Sequence, residues 1–346
     1  MTASRRTFIA SSAALGAAAV FGAPTIIVAA APKDKLTVAV GAEHSLVYLP
    51  WDIAKALGYF DAEGLDVTIF YTKGGTEAGL ALMSGNVDYS GNAIDHAIAA
   101  ADQGKSLVMI SDFMDQPGIT FITKPENKGK YPNGAALKGK TIGITSTGSA
   151  TDVIAHWAAH RNGVARGDIK TVGVGGGSTV MAAIAGGQVD IALATDPYAT
   201  LMIRQGRAIP VAELFTAKAT REWLGFGSWC FTGGLTRADV IAKYPERTQR
   251  VVNALVRAQK FMAQSSGQKI AAALPDEFRG GASPSDWALA FGHSRPAFTT
   301  LGRINVDAIR SVIEANEFFL GKRLSADPNK LYDNSFVEKA ARSVKV

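Results

Sequence analysis

The sequence contains a single cysteine, Cys230, among 346 residues. One cysteine cannot form an internal disulfide or a cluster of thiolate metal ligands. The sequence also has no P-loop, no GxSxG motif and no HExxH motif, so it lacks the usual signatures of nucleotide hydrolases, α/β-hydrolases and zinc proteases. We therefore predict that the protein is not an enzyme and that it uses no cofactor and no metal ion.

Charge of either sign is also scarce, because only 19% of the residues are Asp, Glu, Lys or Arg. The formal net charge is +6, and no cluster of basic residues with interleaved aromatics occurs. This distribution argues against a nucleic acid partner. The hydrophobic content of 47% is ordinary for a globular protein with a sizeable core.

The N-terminus resembles a twin-arginine export signal. Arg5 and Arg6 precede an apolar run, Ala10–Ala31, that consists mostly of small residues. We predict a signal at residues 1–30 that is cleaved near Ala30, and hence a location in the periplasm. A membrane anchor is the alternative, but Pro24 and the many alanines and glycines make the run a poor membrane span.

A segment of about 17 residues occurs twice, at an offset of 102 residues. Gly74–Ser90 reads GGTEAGLALMSGNVDYS, and Gly176–Ala192 reads GGSTVMAAIAGGQVDIA. The match keeps its register through a turn, a helix and the start of a strand. Such a repeat indicates two copies of one α/β unit.

Short apolar strands alternate with short helices on both sides of Pro117 and Gly118. This alternation predicts an α/β protein of two lobes, each a mostly parallel sheet flanked by helices. We predict that residues 31–116 and 235–346 form lobe 1 and that residues 117–234 form lobe 2. The chain would cross between the lobes near Gln116 and again at Gly233 and Gly234, and these two crossings would act as a hinge.

Ligands of open α/β sheets bind beyond the carboxyl ends of the strands. Thr145–Ser149 leaves a strand there and opens a helix, so its amides and the helix dipole favour an anion. At least one of Ser146, Thr147 and Ser149 is predicted to contact the ligand, although a serine at this place can also serve only as a helix cap.

Other candidates lie in the equivalent turns. His44 belongs to the loop after the first strand, and Tyr48 and Trp229 are the aromatic residues predicted to wall the ligand. Asp95 and Asp196 stand at helix starts, where capping is their usual role. If both carboxylates point inward, a ligand amine becomes possible, and for that reason the sign of the ligand charge stays open.

The chain resembles the solute-binding proteins for nitrate, sulfonate, taurine and thiamine precursors. The resemblance is carried by YLPWDIAKALGYFDAEGLDV from Tyr48 to Val67, by LKGKTIG from Leu137, and by the repeated Gly-x-Val-Asp. It implies a two-lobed periplasmic-binding-protein fold of type II that closes on a small solute. It also implies delivery of the solute to an ABC permease with a cytoplasmic ATPase, and a monomeric receptor.

Carried over by position, the resemblance implies ligand contacts at Ser45, Thr76, Asn92, Ser149 and Ser178. Together with the candidates above, the predicted ligand-binding residues are His44, Ser45, Tyr48, Gly75, Thr76, Asn92, Ser146, Thr147, Ser149, Ser178, Asp196 and Trp229.

No basic residue occupies these positions, and this argues against nitrate and places an organic sulfonate or carboxylate first. The alternatives are a zwitterion or thiamine-type pyrimidine precursor, a ligand-sensing domain, and an exported enzyme. A related pyrimidine-forming synthase relies on a cysteine-rich iron motif, which a chain with one cysteine cannot supply.

Overall fold

The computed structural model describes residues 33–345, and the predicted export signal with its cleavage near Ala30 lies outside them. Within this range the chain forms ten strands in two sheets, together with fourteen α-helices. No helix in the same range is both long and apolar enough to cross a membrane.

The first sheet has the strand order β2-β1-β3-β10-β4. Its strands are β1 (Asp34–Val40), β2 (Leu65–Tyr71), β3 (Tyr89–Ala93), β4 (Leu107–Asp112) and β10 (Thr232–Arg237). The second sheet has the strand order β7-β6-β8-β5-β9. Its strands are β5 (Ile119–Thr123), β6 (Thr141–Ile144), β7 (Lys170–Gly173), β8 (Ile191–Thr195) and β9 (Ile209–Glu213).

Helices cover both sheets and continue after β10. Those before β10 are α1 (Leu49–Ala56), α2 (Tyr59–Ala62), α3 (Gly75–Met83), α4 (Asp95–Asp102), α5 (Ala150–His160), α6 (Ser178–Ala185), α7 (Tyr198–Arg204) and α8 (Ala217–Leu224). Those after it are α9 (Ala238–Lys243), α10 (Pro245–Gln264), α11 (Gly267–Ala273), α12 (Pro284–Ser294), α13 (Val306–Leu320) and α14 (Ser335–Ser343).

The two sheets share one topology, which explains the sequence repeat. In each sheet the first three strands of the order are parallel, and the fourth strand, β10 or β5, is antiparallel to both of its neighbours. The prediction of two mostly parallel α/β sheets is confirmed, with one antiparallel strand in each.

The repeated Val-Asp pair has the same structural role in both copies. Asp88 accepts a hydrogen bond from the amide of Thr37 at 2.9 Å, and Asp190 accepts one from the amide of Thr141 at 2.8 Å. In each lobe this carboxylate ties the segment that leads into one strand to the neighbouring strand. The pair is therefore retained in both halves for a structural reason rather than for ligand contact.

The two segments that join the sheets run side by side. The amide of Trp229 donates to the carbonyl of Asp115 at 2.8 Å, and the amide of Phe231 donates to that of Met114 at 3.0 Å. These backbone hydrogen bonds couple the two crossings. Any rotation of one sheet relative to the other must therefore bend both crossing segments together.

The prediction that Gly233 and Gly234 form a hinge was wrong, because both lie inside β10 and pair with the first sheet. A Cβ atom at Gly233 would lie 2.3 Å from the carbonyl oxygen of Ser111. Glycine is needed here for close packing of two strands next to a β-bulge, and not for bending.

The chain after β10 is helical, and its longest helix, α10, buries an apolar face. Pro245 occupies its first turn, where the missing amide costs nothing, and Val251, Val252 and Leu255 are fully buried. Whereas α10 packs on α1 and α14, the helices α12 and α13 contact α7 and α5 of the second sheet. The broader division of the chain into residues 31–116 and 235–346 against 117–234 stays a prediction.

We expect Leu255→Ala to lower the free energy of unfolding by about 2–5 kcal/mol, because it leaves a cavity in a fully buried site. Urea unfolding followed by circular dichroism measures this change. The matched control is Leu289→Ala at a position that is 48% exposed, where the change should stay within about 0.5 kcal/mol. Equal effects of the two substitutions would contradict the placement of α10.

Candidate functional site

The loops that follow strands of both sheets meet around a cavity of about 30 Å³. Residues of the first sheet and its loops form one wall, residues of the second form the other, and the second crossing segment supplies Phe231. The lining residues are Gly41, Ala42, Ser45, Val47, Tyr48, Gly75, Asn92, Ala93, His96, Thr145, Ser149, Ala150, Thr151, Thr195 and Phe231.

Hydrogen bonds between the two walls close this cavity on two sides. Ser45 Oγ donates to Thr195 Oγ1 at 2.7 Å, and the amide of Leu46 donates to the carbonyl of Asp196 at 2.8 Å. On the other side, Thr76 Oγ1 donates to the carbonyl of Thr147 at 3.1 Å. These contacts hold the loops of the two lobes against each other.

A larger groove of about 1220 Å³ lies outside the second of these contacts. Its walls include Tyr71 and Lys73 from the first lobe and Ser146, Thr147 and Ser178 from the second. The amide of Gly176 donates across it to the carbonyl of Lys73 at 3.1 Å. The groove is the outer mouth of the cleft, and the small cavity is its inner end.

Hydroxyl groups form the wall contributed by the second lobe. The side-chain oxygens of Thr145, Ser149 and Thr151 lie 2.8–3.0 Å from one another. Two amides of this loop are already engaged, because that of Thr145 donates to Thr151 Oγ1 and that of Gly148 donates to Asp152 Oδ2, both at 2.9 Å. The helix start therefore offers an anion fewer free amides than the sequence predicted.

An amide and an imidazole form the opposite wall. Asn92 Nδ2 donates to the carbonyl of Gly75 at 2.9 Å, and its Oδ1 accepts from the amide of Ala93. His96 is 7% exposed, and its Nε2 atom has no hydrogen-bond partner within residues 33–345. Burial lowers the pKa of His96 to about 4, so the ring is neutral near pH 7.

A buried carboxyl group belongs to the same helix start as His96. Asp95 is 2% exposed, and its Oδ1 accepts a hydrogen bond from Asn316 Nδ2 at 2.9 Å. Burial raises the pKa of Asp95 to about 6, although the bond from Asn316 partly offsets that effect. Burial, and then the charge of Asp95, also raise the pKa of Tyr48, whose side chain lines the cavity.

The structure brings five of the predicted ligand contacts together around the cavity, namely Ser45, Tyr48, Gly75, Asn92 and Ser149. Thr76, Ser146 and Thr147 form the contact at its outer side, where Ser146 Oγ donates to Thr76 Oγ1 at 3.1 Å. Ser178 lies farther out, on the groove.

Three predicted contacts lie away from the cavity. The ring of His44, a residue with a left-handed backbone at φ 48°, packs between Tyr71 and Phe278 at centroid distances of 4.7 and 5.1 Å. Trp229 is fully buried in the second crossing, with its ring 6.0 Å from that of Phe226. Backbone pairing of the crossings keeps Trp229 inside the core.

Asp196 is the third predicted contact that lies away from the cavity. Other residues of the chain already form hydrogen bonds to its carboxylate. Its Oδ1 accepts from the amide of Thr200 at 3.0 Å, and its Oδ2 accepts from Ser294 Oγ at 2.8 Å. The ring of His293 lies between Asp196 Oδ2, at 3.3 Å, and Glu213 Oε1, at 2.8 Å. This cluster fastens α12 to the second lobe.

Four polar lining residues, His96, Thr145, Thr151 and Thr195, are absent from the predicted contacts, although Thr145 begins the predicted loop Thr145–Ser149. For His96 a signal was present, because Gly75 and Gly79 are one helical turn apart and both leave room for its ring. A Cβ atom at Gly75 would lie 2.7 Å from His96 Nε2, and one at Gly79 would lie 3.1 Å from its Cγ. The described residues contain no group of three or more His, Cys, Asp or Glu side chains placed to hold a metal ion.

A comparison with protein families identifies the family of this chain. A family model described as NMT1/THI5 like matches residues 44–268. The chain belongs to this family. The matched range starts in the loop after β1 and ends after α10, so it includes the other nine strands and both crossings.

Two curated relatives differ in the activity that their names give. The "Putative binding protein YtlA" of Bacillus subtilis (strain 168) is 24% identical over 237 residues, which is 68% of this chain and 68% of that protein. The 4-amino-5-hydroxymethyl-2-methylpyrimidine phosphate synthase THI13 of Saccharomyces cerevisiae is 22% identical over 234 residues, 66% of this chain and 67% of that protein.

Solved structures share the fold over nearly the whole chain. A protein from Bordetella bronchiseptica RB50 is 28% identical, with a TM-score of 0.83 and coverage of 90% of this chain and 98% of that chain. The alkanesulfonate-binding protein SsuA from Xanthomonas axonopodis pv. citri, bound to MOPS, is 19% identical, with a TM-score of 0.67 and coverage of 90% and 99%. The periplasmic nitrate-binding protein NrtA from Synechocystis PCC 6803 is 13% identical, with a TM-score of 0.72 and coverage of 91% and 90%. The fold predicted from the resemblance is confirmed.

We expect His293 to make folding stability depend on pH in the alkaline range. Hydrogen bonds to Asp196 and then Glu213 raise the pKa of His293 from 6.5 to about 10. A raised pKa means that the stabilisation is fully present below about pH 6.5 and is lost as the pH rises through about 10. His293→Gln should lower the melting temperature by at least about 3 °C at pH 7, and the difference should disappear near pH 11.

A suitable control for this measurement is Arg204→Gln. Arg204 joins α7 to the same helix α12 through an exposed ion pair with Asp286 at 3.3 Å. Exposed ion pairs contribute little to stability, so this substitution should change the melting temperature little. A His293→Gln variant whose melting temperature runs parallel to that of the wild type over this range would disprove the assignment.

Proposed function

We propose that the protein is the periplasmic solute receptor of an ABC importer. It would capture a small solute between its two lobes and deliver it to a permease without changing it chemically. The observation that carries this proposal is the cavity whose walls come from loops of both sheets and from the second crossing. A solute held there contacts both lobes, so its binding free energy favours the closed arrangement over the open one.

The volume of the cavity requires the lobes to move. About 30 Å³ accommodates roughly two water molecules, whereas small-molecule sites span about 300–1,000 Å³. An organic solute therefore needs a wider separation of the walls than this conformation has. The hydrogen bonds from Ser45 to Thr195 and from Thr76 to Thr147 must break or lengthen when the cleft opens.

The lining bears on the class of solute. Hydroxyls, one amide, one neutral imidazole, two aromatic rings and several aliphatic side chains line the cavity, and its described lining includes no lysine or arginine. A sulfonate or carboxylate, which the sequence placed first, would find hydroxyl donors but no cationic partner. The second prediction, a zwitterion or a pyrimidine precursor, suits these neutral groups better, and relatives whose names refer to a pyrimidine phosphate support it.

The alternative function is that of an enzyme, because several relatives are named as synthases. Iron held by a cysteine-rich motif would need thiolates, and Cys230 is buried, with its Sγ 3.6 Å from Met109 Sδ. Burial and the nearby carboxylates Asp112, Asp95 and Asp115 raise the pKa of Cys230 well above its ordinary value. A receptor role therefore fits this chain better than the chemistry of that motif.

We expect Gly75→Ala to weaken solute binding at least about tenfold without unfolding the protein. The added Cβ would lie 2.7 Å from both Asn92 Oδ1 and His96 Nε2, so it would push these side chains into the cavity. A thermal-shift screen of sulfonates, carboxylates and pyrimidines would identify a solute, because a bound solute raises the melting temperature. Titration calorimetry would then compare the variants.

Gly292→Ala is the matched control, because it adds the same methyl group to a helical glycine with no atom within 4 Å. It should leave the affinity unchanged. Mass spectrometry after incubation should recover the solute intact. Equal affinities of the two glycine variants would contradict the placement of the site beside Gly75. Conversion of the solute to a product would contradict the receptor role.

A further inference from the structure

The carboxyl group of Asp95 has no role in holding the fold that would account for both of its oxygens. Oδ1 accepts the hydrogen bond from Asn316 on α13, whereas Oδ2 is buried without a partner in the described chain. A buried carboxylate oxygen without a partner is costly unless a ligand or a proton compensates it. Because Asp95 lies between residues that line the cavity, its charge bears on the solute.

Asp95 is the first residue of α4, and residues on both sides of it line the cavity. Ala93 ends β3, and His96 follows Asp95 in the first turn of the helix. The backbone of this segment is fixed, because the amide of Ile94 donates to the carbonyl of Phe231 at 3.0 Å. The carboxyl group itself is not among the groups that line the cavity, but its charge acts on Tyr48, whose side chain does line it.

The other ionisable groups near Asp95 are neutral or acidic. Tyr48 and His96 are neutral at pH 7, and Cys230 in the second crossing keeps its proton. Asp112 at the end of β4 and Asp115 in the first crossing also act on Cys230, and burial raises the pKa of both carboxyl groups. Asn316 on α13 is uncharged, so the part of the chain described here places no cation beside Asp95.

We propose that Asp95 selects the charge of the solute, so that the cavity accepts solutes with an amino or ammonium group and rejects anions. This inference rests on the proposed function as a solute receptor and adds the class of solute. The selection acts through the electrostatic field of a carboxylate in a buried wall, where solvent screens it little. Above about pH 6 the group is ionised and attracts a cation, and below that pH it is neutral.

The test uses the full-length mature protein and pairs of probes that share a skeleton. Benzylamine is compared with benzoate, ethanolamine with glycolate, and a 4-aminopyrimidine with the corresponding pyrimidinecarboxylate. Titration calorimetry at pH 8 and pH 5 measures each affinity, and thermal shift confirms binding. At pH 8 the wild type should bind at least one amine, and each amine at least tenfold more tightly than its paired acid.

The affinity for an amine that is itself protonated at both pH values should fall about tenfold from pH 8 to pH 5, since only about a tenth of a group with a pKa near 6 is ionised at pH 5. Asp95→Asn keeps an oxygen that can accept from Asn316 and removes the charge. It should lose both the preference for amines and this pH dependence.

Asn316→Ala is the structural control, because it removes the hydrogen bond to α13 and leaves the charge of Asp95 in place. It should keep the preference for amines at pH 8, whatever its effect on the melting temperature. A preference lost equally in both variants would make Asp95 a purely structural residue.

Two further results would overturn the inference. One is an acid that binds the wild type at pH 8 more tightly than its paired amine, a result that would leave the receptor role standing. The other is a wild-type protein to which no amine binds. If solutes of every class fail to bind, the receptor role is contradicted as well. Binding of acids without amines would contradict only the role of Asp95.

Discussion

The hydrogen bonds that join the loop after β1 to the end of β8 are the contact on which the site depends. Ser45 and Leu46 follow β1 of the first sheet, and they bond to Thr195 and Asp196 at the end of β8 in the second sheet. Without them the cavity would be open on this side, and only the contacts of Thr76 with Ser146 and Thr147 would join its walls. Each is a single neutral hydrogen bond of about 1 kcal/mol net, so the closed arrangement is stable enough to form and weak enough to open.

Much of the fold could be predicted because the chain repeats one pattern that has one physical meaning. A glycine turn, a helix and a Val-Asp pair recur at a fixed offset. Asp88 and Asp190 each accept a hydrogen bond from a backbone amide at the equivalent position of the neighbouring strand. Tertiary packing decided what the pattern could not. Gly233 and Gly234 look like a flexible pair in sequence, and only the approach of Ser111 shows that they are packed inside a sheet.

The site was predictable to the level of loops but not of side chains. Residues after the strand ends indicated the edge of each sheet where the cavity lies, and five of the predicted contacts line it. Which direction a loop residue faces depends on neighbours distant in the chain. His44 lies against Phe278, and Asp196 is taken by His293 and Ser294, all contributed by the chain after β10. His96 lines the cavity because two glycines of α3 leave space for it.

The shared strand order has a consequence for how the protein forms. All strands of the second sheet come from one continuous stretch, residues 119–213, so that sheet can be completed as soon as this stretch exists. The first sheet cannot, because β10 inserts between β3 and β4 and begins at Thr232, 120 residues after Asp112 ends β4. During synthesis from the N-terminus, the lobe that starts first is therefore the one that finishes last.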